Sequence, residues 1–159
     1  MSSSRKGSLK NDEIQNDDVE IELNADVIIY IISIVARHHI ENCEFTEIIK
    51  LINLGGSNYF DRNPSFLFRL LEQQFIEYVR AEKIKEALEL SYKELSHVAE
   101  KNIEFFKKME KSFMLLIFPT DSICSELLDT SRLQNIAEEI NATILTHGID
   151  LYFGNKLKD

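Results

Sequence analysis

The chain has 159 residues, 44% of them hydrophobic, with five glycines and two prolines; this suffices for one compact domain with a real core and excludes a chain disordered throughout. A formal net charge of −9 and a pI near 5.0 argue against a nucleic-acid groove or an anionic membrane surface as partner, since both need clustered Lys and Arg. Two well-separated cysteines, Cys43 and Cys124, do not make a disulfide framework, so a reducing compartment, cytoplasm or nucleus, is expected.

Residues 1–22 read as a disordered tail: MSSSRKGSLK is small and basic, NDEIQNDDVEIE is acidic, and neither half has an apolar face to offset the entropy of ordering it. No signal peptide is visible there. Arg5-Lys6-Gly7-Ser8 places two basic residues before a serine, which makes Ser8 a candidate phosphorylation site, with an unmodified solvated tail as the simpler alternative.

A first helix is expected after Asn24, a good N-cap residue, running to about His39. Its run Val27–Ala36, VIIYIISIVA, is too short for a membrane span, which takes about 20 apolar residues. The run is apolar on nearly all sides, so the helix should be buried on more than one face. A second helix fits Phe45–Leu54 and ends at Gly55-Gly56. Asn63 as N-cap and Pro64 at the first helical position open a third, whose stripe is Leu67, Leu70, Leu71, Phe75 and Val79. After the charged break Arg80–Lys83, Ile84, Ala87, Leu88 and Leu95 mark a fourth. A fifth runs from about Ala99 to Phe118, with Ile103, Phe106, Met109, Phe113, Leu116 and Ile117 as its apolar face, and Pro119 stops it. A short element at Ser122–Leu128 precedes a last helix capped by Thr130 or Ser131 and ended by Gly148. The fold class is therefore all-α, a compact domain of about six or seven helices.

Candidate chemistry is sparse. His38, His39 and Cys43 lie close in sequence, but zinc needs four ligands, or three and an open position, and Cys124, His97 and His147 are remote. Cys124 with a histidine lacks an orienting third group and an oxyanion hole. Gly55-Gly56 lacks the further glycines and the Lys of a phosphate loop, so a helix C-cap is preferred. Glu72, Glu77, Glu82 and Glu86 read as a solvated helix face before they read as a carboxylate site. No cofactor or metal is expected. The large apolar residues Phe68, Phe75, Phe106, Phe113 and Leu116 are the candidate interface, because large anchors dominate interfaces.

The order of segments resembles the CTLH domain followed by the first part of a CRA domain. NPSFLFRLLEQQFIEYVRAEKIKEALELSYKEL, with QQFIE at Gln73–Glu77 and EAL at Glu86–Leu88, is similar to the second half of CTLH, and Ile40–Asn53 to its opening. MEKSFMLLIFPTDSICSELLD and LQNIAEEINATIL carry the CRA resemblance through Leu115–Phe118, Leu127-Leu128, Ile140-Asn141 and Ile144-Leu145. The implied division is a tail at 1–22, a CTLH-like region at 23–95, a CRA-like region at 96–147 and a C-terminal tail at 148–159. The resemblance implies a non-catalytic scaffold subunit like those of the GID/CTLH ubiquitin-ligase complex and of Ran-binding-protein scaffolds. Its implied partners are other CTLH–CRA subunits, with RING subunits of the ligase as further candidates, and no nucleic acid or membrane. No LisH-like segment is seen before Asn24, so the contact implied is the one between neighbouring CTLH–CRA units. A free-standing homodimeric adaptor and a small enzyme are the alternatives.

Overall fold

A computed structural model describes residues 9–119 and 122–154, with side chains described for 24–119 and 124–154. Among these residues there is no strand, and the expected all-α class is what the chain adopts. The helices are α1 (Leu9–Glu41), α2 (Phe45–Asn53), α3 (Tyr59–Arg62), α4 (Pro64–Arg80), α5 (Ile84–Leu90), α6 (Ser96–Ala99), α7 (Ile103–Ile117), α8 (Ser122–Ser125) and α9 (Thr130–Phe153); a π-helical turn, Ser91–Leu95, joins α5 to α6.

Helix α4 is the axis of the fold. At Leu70–Ile76 it is buried all round, polar residues included. Phe66 and Leu70 enter one core with Ile29, Ile32 and Ala36 of α1, Phe45, Ile48 and Ile52 of α2, and Ile136, Ile140, Ile144 and Leu151 of α9. Phe68, Leu71, Phe75 and Ile76 enter a second core with Ala87, Leu90, Leu95, Phe105, Met109, Leu115 and Cys124. The last helix thus returns to pack on the first, and the two cores cut across the sequence division at 95/96. Burial of this much apolar side chain is the main stabilising contribution, at about 25 cal/mol per Å².

Several boundaries differ from expectation, each for a local reason. Helix α1 begins at Leu9, so Asn24 lies inside it and residues 9–22 are helical, not an irregular tail; no glycine or proline interrupts that stretch. Asn63 does not cap α4 with its side chain: its Nδ2 donates backward to the Tyr59 carbonyl (2.9 Å), closing α3, while Pro64 takes the first position of α4. The N-cap of α9 is Asp129, whose Oδ1 accepts from the Ser131 N–H (2.9 Å) and whose carboxyl that bond holds below its usual range. Asn102 does the same for α7 through the Glu104 N–H (2.8 Å), starting that helix later than Ala99.

Gly148 does not end α9. It sits where α9 crosses α1, and a Cβ there would lie 3.2 Å from the Ile29 side chain. Gly55 likewise lets the α2–α3 connection touch α9, since a Cβ would fall 1.7 Å from the Leu151 carbonyl oxygen. Gly56 supplies the left-handed φ of +72° that ends the turn.

Of the residues read as a C-terminal tail, those from Gly148 to Phe153 continue α9 and pack on the first core. Leu151 is buried, and the half-buried Tyr152 donates its hydroxyl to the Leu51 carbonyl (2.9 Å). Burial pushes its phenol up to about 12. A raised folded-state pKa means this contribution is whole below about pH 10, the unfolded phenol value. Above that the unfolded chain ionises first, and the contribution fades as pH rises toward about 12. Melting temperature measured from pH 9 upward is expected to fall less steeply for Tyr152→Phe than for the wild type; identical slopes would contradict this.

Candidate interaction surface

The five apolar residues singled out as interface candidates divide by burial. Phe68 and Phe75 are fully buried: Phe68 stacks on Phe105 with ring centroids 4.8 Å apart, and Phe75 meets Phe113 edge-on at 5.4 Å. Both are core residues, because their positions on α4 point into the second core and not outward. Phe113 and Leu116 are half-buried against the same core, and Phe106 is 40% exposed.

Helix α7 explains the split. It turns Phe105, Met109, Ser112 and Leu115 inward. That leaves Ile103, Phe106 and Ile117 along an outer side, with Ile103 and Ile117 largely exposed and half-buried Phe113 between the two rows. The sequence pattern assigned Ile103 and Phe106 to the apolar face without separating an inner from an outer row. On the neighbouring segment Ile84, Leu88 and Tyr92, each four residues from the next, are also exposed.

A larger apolar face lies on α1 and was not among the candidates. Ala25, Ile29, Ile32 and Ala36 are buried, but Val27, Ile28, Tyr30, Ile31, Ile34 and Val35 are 39 to 65% exposed. The signal was present in the all-round apolar run VIIYIISIVA, which was expected to be covered on more than one face. One face is covered by this chain; the other is open.

A cleft of about 360 Å³ opens where α4, α7 and α9 meet, lined by Arg69, Glu72, Lys108, Lys111, Glu126 and Arg132 among others. Its charges are largely spent on each other. The Arg132 guanidinium donates to buried Glu72 (2.5 Å), whose second oxygen accepts from the Ser112 hydroxyl (3.1 Å). Arg69 pairs with Glu139 (2.5 Å) and Lys111 with Glu126 (3.0 Å). Glu72 is therefore a strut joining three helices, not a free base.

The other sequence candidates do not converge. Glu77 accepts from Gln73 (3.0 Å) and faces Arg80, while Glu82 and Glu86 are exposed. Glu82 instead carries a φ of 61° at the end of α4. Gln74, buried beside them, turns its side-chain carbonyl to the N–H groups of Phe45 (2.6 Å) and Thr46 (3.2 Å), serving the start of α2. His39 lies 3.5 Å from Glu44, His38 contacts Asn42, and burial together with the Glu77 carboxylate pushes the Cys43 thiol up. Among the described residues no group of three or more His, Cys, Asp or Glu is placed to hold a metal ion. Cys124 is wholly buried in the second core. Among the described residues no helix is long and apolar enough to cross a membrane. Ser8 lies outside the described residues.

The family model of the CTLH/CRA C-terminal to LisH motif domain matches residues 30–150. The chain is 38% identical over 109 residues to Protein GID8 homolog of Arabidopsis thaliana, covering 67% of this chain and 45% of that protein. It is 36% identical over 99 residues to the Glucose-induced degradation protein 8 homolog of Dictyostelium discoideum, covering 61% and 43%. It is 28% identical over 111 residues to the Nematostella vectensis protein of that name, covering 69% and 49%. The chain thus spans about half the length of the curated relatives it matches. No solved structure matches it.

Proposed function

The chain belongs to the CTLH/CRA C-terminal to LisH motif domain family, and on that premise we propose that it is a non-catalytic scaffold subunit of a GID/CTLH-type ubiquitin-ligase assembly, working in the cytoplasm or nucleus. The relatives named for glucose-induced degradation support the assembly. The observation that carries the scaffold role is the outer row of α7: Ile103, Phe106 and Ile117 stay exposed beside the helix's own core row. A helix with large apolar residues at this spacing is built to lie against a partner helix or groove.

The contact assigned to this row is with another CTLH–CRA subunit. Phe106 is its anchor, with burial of apolar surface supplying the affinity. The cleft between α4, α7 and α9 supports no catalytic alternative, since its one buried carboxylate is held by Arg132 and Ser112.

Affinity purification of the tagged full chain, followed by mass spectrometry, is expected to recover CTLH–CRA subunits. Phe106→Glu should reduce their recovery by about tenfold or more without changing helicity. A wild-type chain that brings down no such subunit would overturn the proposal.

A further inference from the structure

We propose that the cleft between α4, α7 and α9 binds an acidic peptide segment of a partner protein, one carboxylate of which is seated by Lys108 and Lys111 of α7 and Arg132 of α9. This surface is separate from the outer row of α7, and its use does not require that row to bind anything.

Three helices build the cleft, each offering residues one turn apart: Arg69 and Glu72 on α4, Lys108 and Lys111 on α7, Arg132 and Ile136 on α9. Residues three or four apart share one face of a helix, so each helix turns a whole face into it. The chain as a whole carries a formal net charge of −9. Here the balance is reversed. Arg69, Lys108, Lys111 and Arg132 stand against Glu72, Glu126 and, bonded to Arg69, Glu139, which leaves one positive charge over. A cleft lined by one excess sign of charge concentrates its field on an incoming ion of the other sign.

The excess sits on Lys108, which is exposed and has no ion-pair partner among the described residues. Its neighbour Lys111 is held only loosely. The side chains of the Lys111–Glu126 pair are 41% and 78% exposed, and pairs this exposed contribute little. A carboxylate entering the cleft can therefore take Lys111 from Glu126 without breaking a buried contact. Arg132 is the fixed member of the three, since its Nη2 donates to buried Glu72. Its buried Nε has no acceptor among the described residues. That cation is under-satisfied, and added negative charge beside it is favourable.

The same count selects the ligand. A surplus of one charge matches a single carboxylate, whereas the second charge of a phosphate dianion would be set against Glu126 and Glu139. Leu127 and Ile136 add an apolar wall. The volume of about 360 Å³ is at the low end of the ~300–1,000 Å³ range of ligand sites. An acidic side chain with an apolar neighbour on the same peptide meets both kinds of wall.

Fluorescence anisotropy tests this on the purified full chain with a labelled Glu-Leu-Glu-Leu-Glu-Leu peptide. No other subunit is present, so the outcome is independent of the scaffold role. Saturable binding below about 1 mM is expected, and binding at least about tenfold weaker when Gln replaces each Glu of the peptide. Lys108→Glu should weaken binding at least about tenfold and leave the circular dichroism spectrum unchanged, because the residue is exposed and unpaired. Lys108→Arg should stay within about threefold of the wild type. Lys85→Glu makes the same change of charge at an exposed position of α5 outside the cleft, and should alter binding less than about twofold. A wild-type chain that does not bind the peptide would overturn the proposal, as would a Lys85→Glu loss equal to that of Lys108→Glu. Displacement of the peptide by an equal concentration of inorganic phosphate would overturn it too, by making the cleft a site for free anions.

Discussion

Arg132→Ala is expected to destabilise the fold by about 3 kcal/mol or more, the loss typical when one member of a buried ion pair is removed. Glu72 is 3% exposed, and its carboxylate is held by Arg132 at 2.5 Å and Ser112 at 3.1 Å. Without the guanidinium a buried carboxylate keeps one hydroxyl donor and loses its counter-charge. The same pair ties α9 to α4, and Ser112 ties α7 to the same Glu72, so the loss falls where the three helices meet. Urea unfolding of the full chain is the measurement. Replacing both members, Glu72→Met with Arg132→Met, should recover much of the loss, because an apolar pair of similar volume removes the desolvation cost along with the attraction. A single variant as stable as the wild type would mean that Glu72 is hydrated.

Phe68→Ala is expected to cost about 3–5 kcal/mol, the range for truncating a fully buried phenylalanine and leaving a cavity. The ring is wholly buried and stacked on Phe105 of α7, so the cavity would open between α4 and α7. Thermal or urea unfolding measures this directly. Phe106→Ala should cost far less, since a 40%-exposed ring gives up little packing. Equal losses at Phe68 and Phe106 would contradict the inward and outward assignments.

The helices were legible wherever apolar period and punctuation agreed. Pro64 opens α4, the charged stretch Arg80–Lys83 separates α4 from α5, and α7 ends before Pro119. Boundaries failed where a side chain had two possible uses. Asn63 bonds backward to Tyr59 instead of forward, and Asp129 takes the cap that Thr130 or Ser131 was expected to supply. Gly148 reads as a stop signal in sequence, yet its place is set by a crossing with Ile29, a tertiary fact that no local pattern carries. Residues 9–22 lacked an apolar face, and the absence of helix breakers was the signal that outweighed it.

The candidate surface was legible in kind and only partly in detail. Large apolar residues in excess of one core marked an interacting protein, but which row of a helix faces inward depends on the neighbours it packs against. Thus Phe68 and Phe75 turned inward with α4, Phe106 stayed on the outside of α7, and the open face of α1 was hidden in a run whose very uniformity erased its period.

The most direct test of the scaffold role is titration calorimetry of the purified full chain against a purified CTLH–CRA subunit at several temperatures. Saturable binding with a negative heat-capacity change, the mark of buried apolar surface, is expected, together with an affinity at least about tenfold weaker for Phe106→Glu. No binding, or binding that Phe106→Glu leaves unchanged, would contradict it.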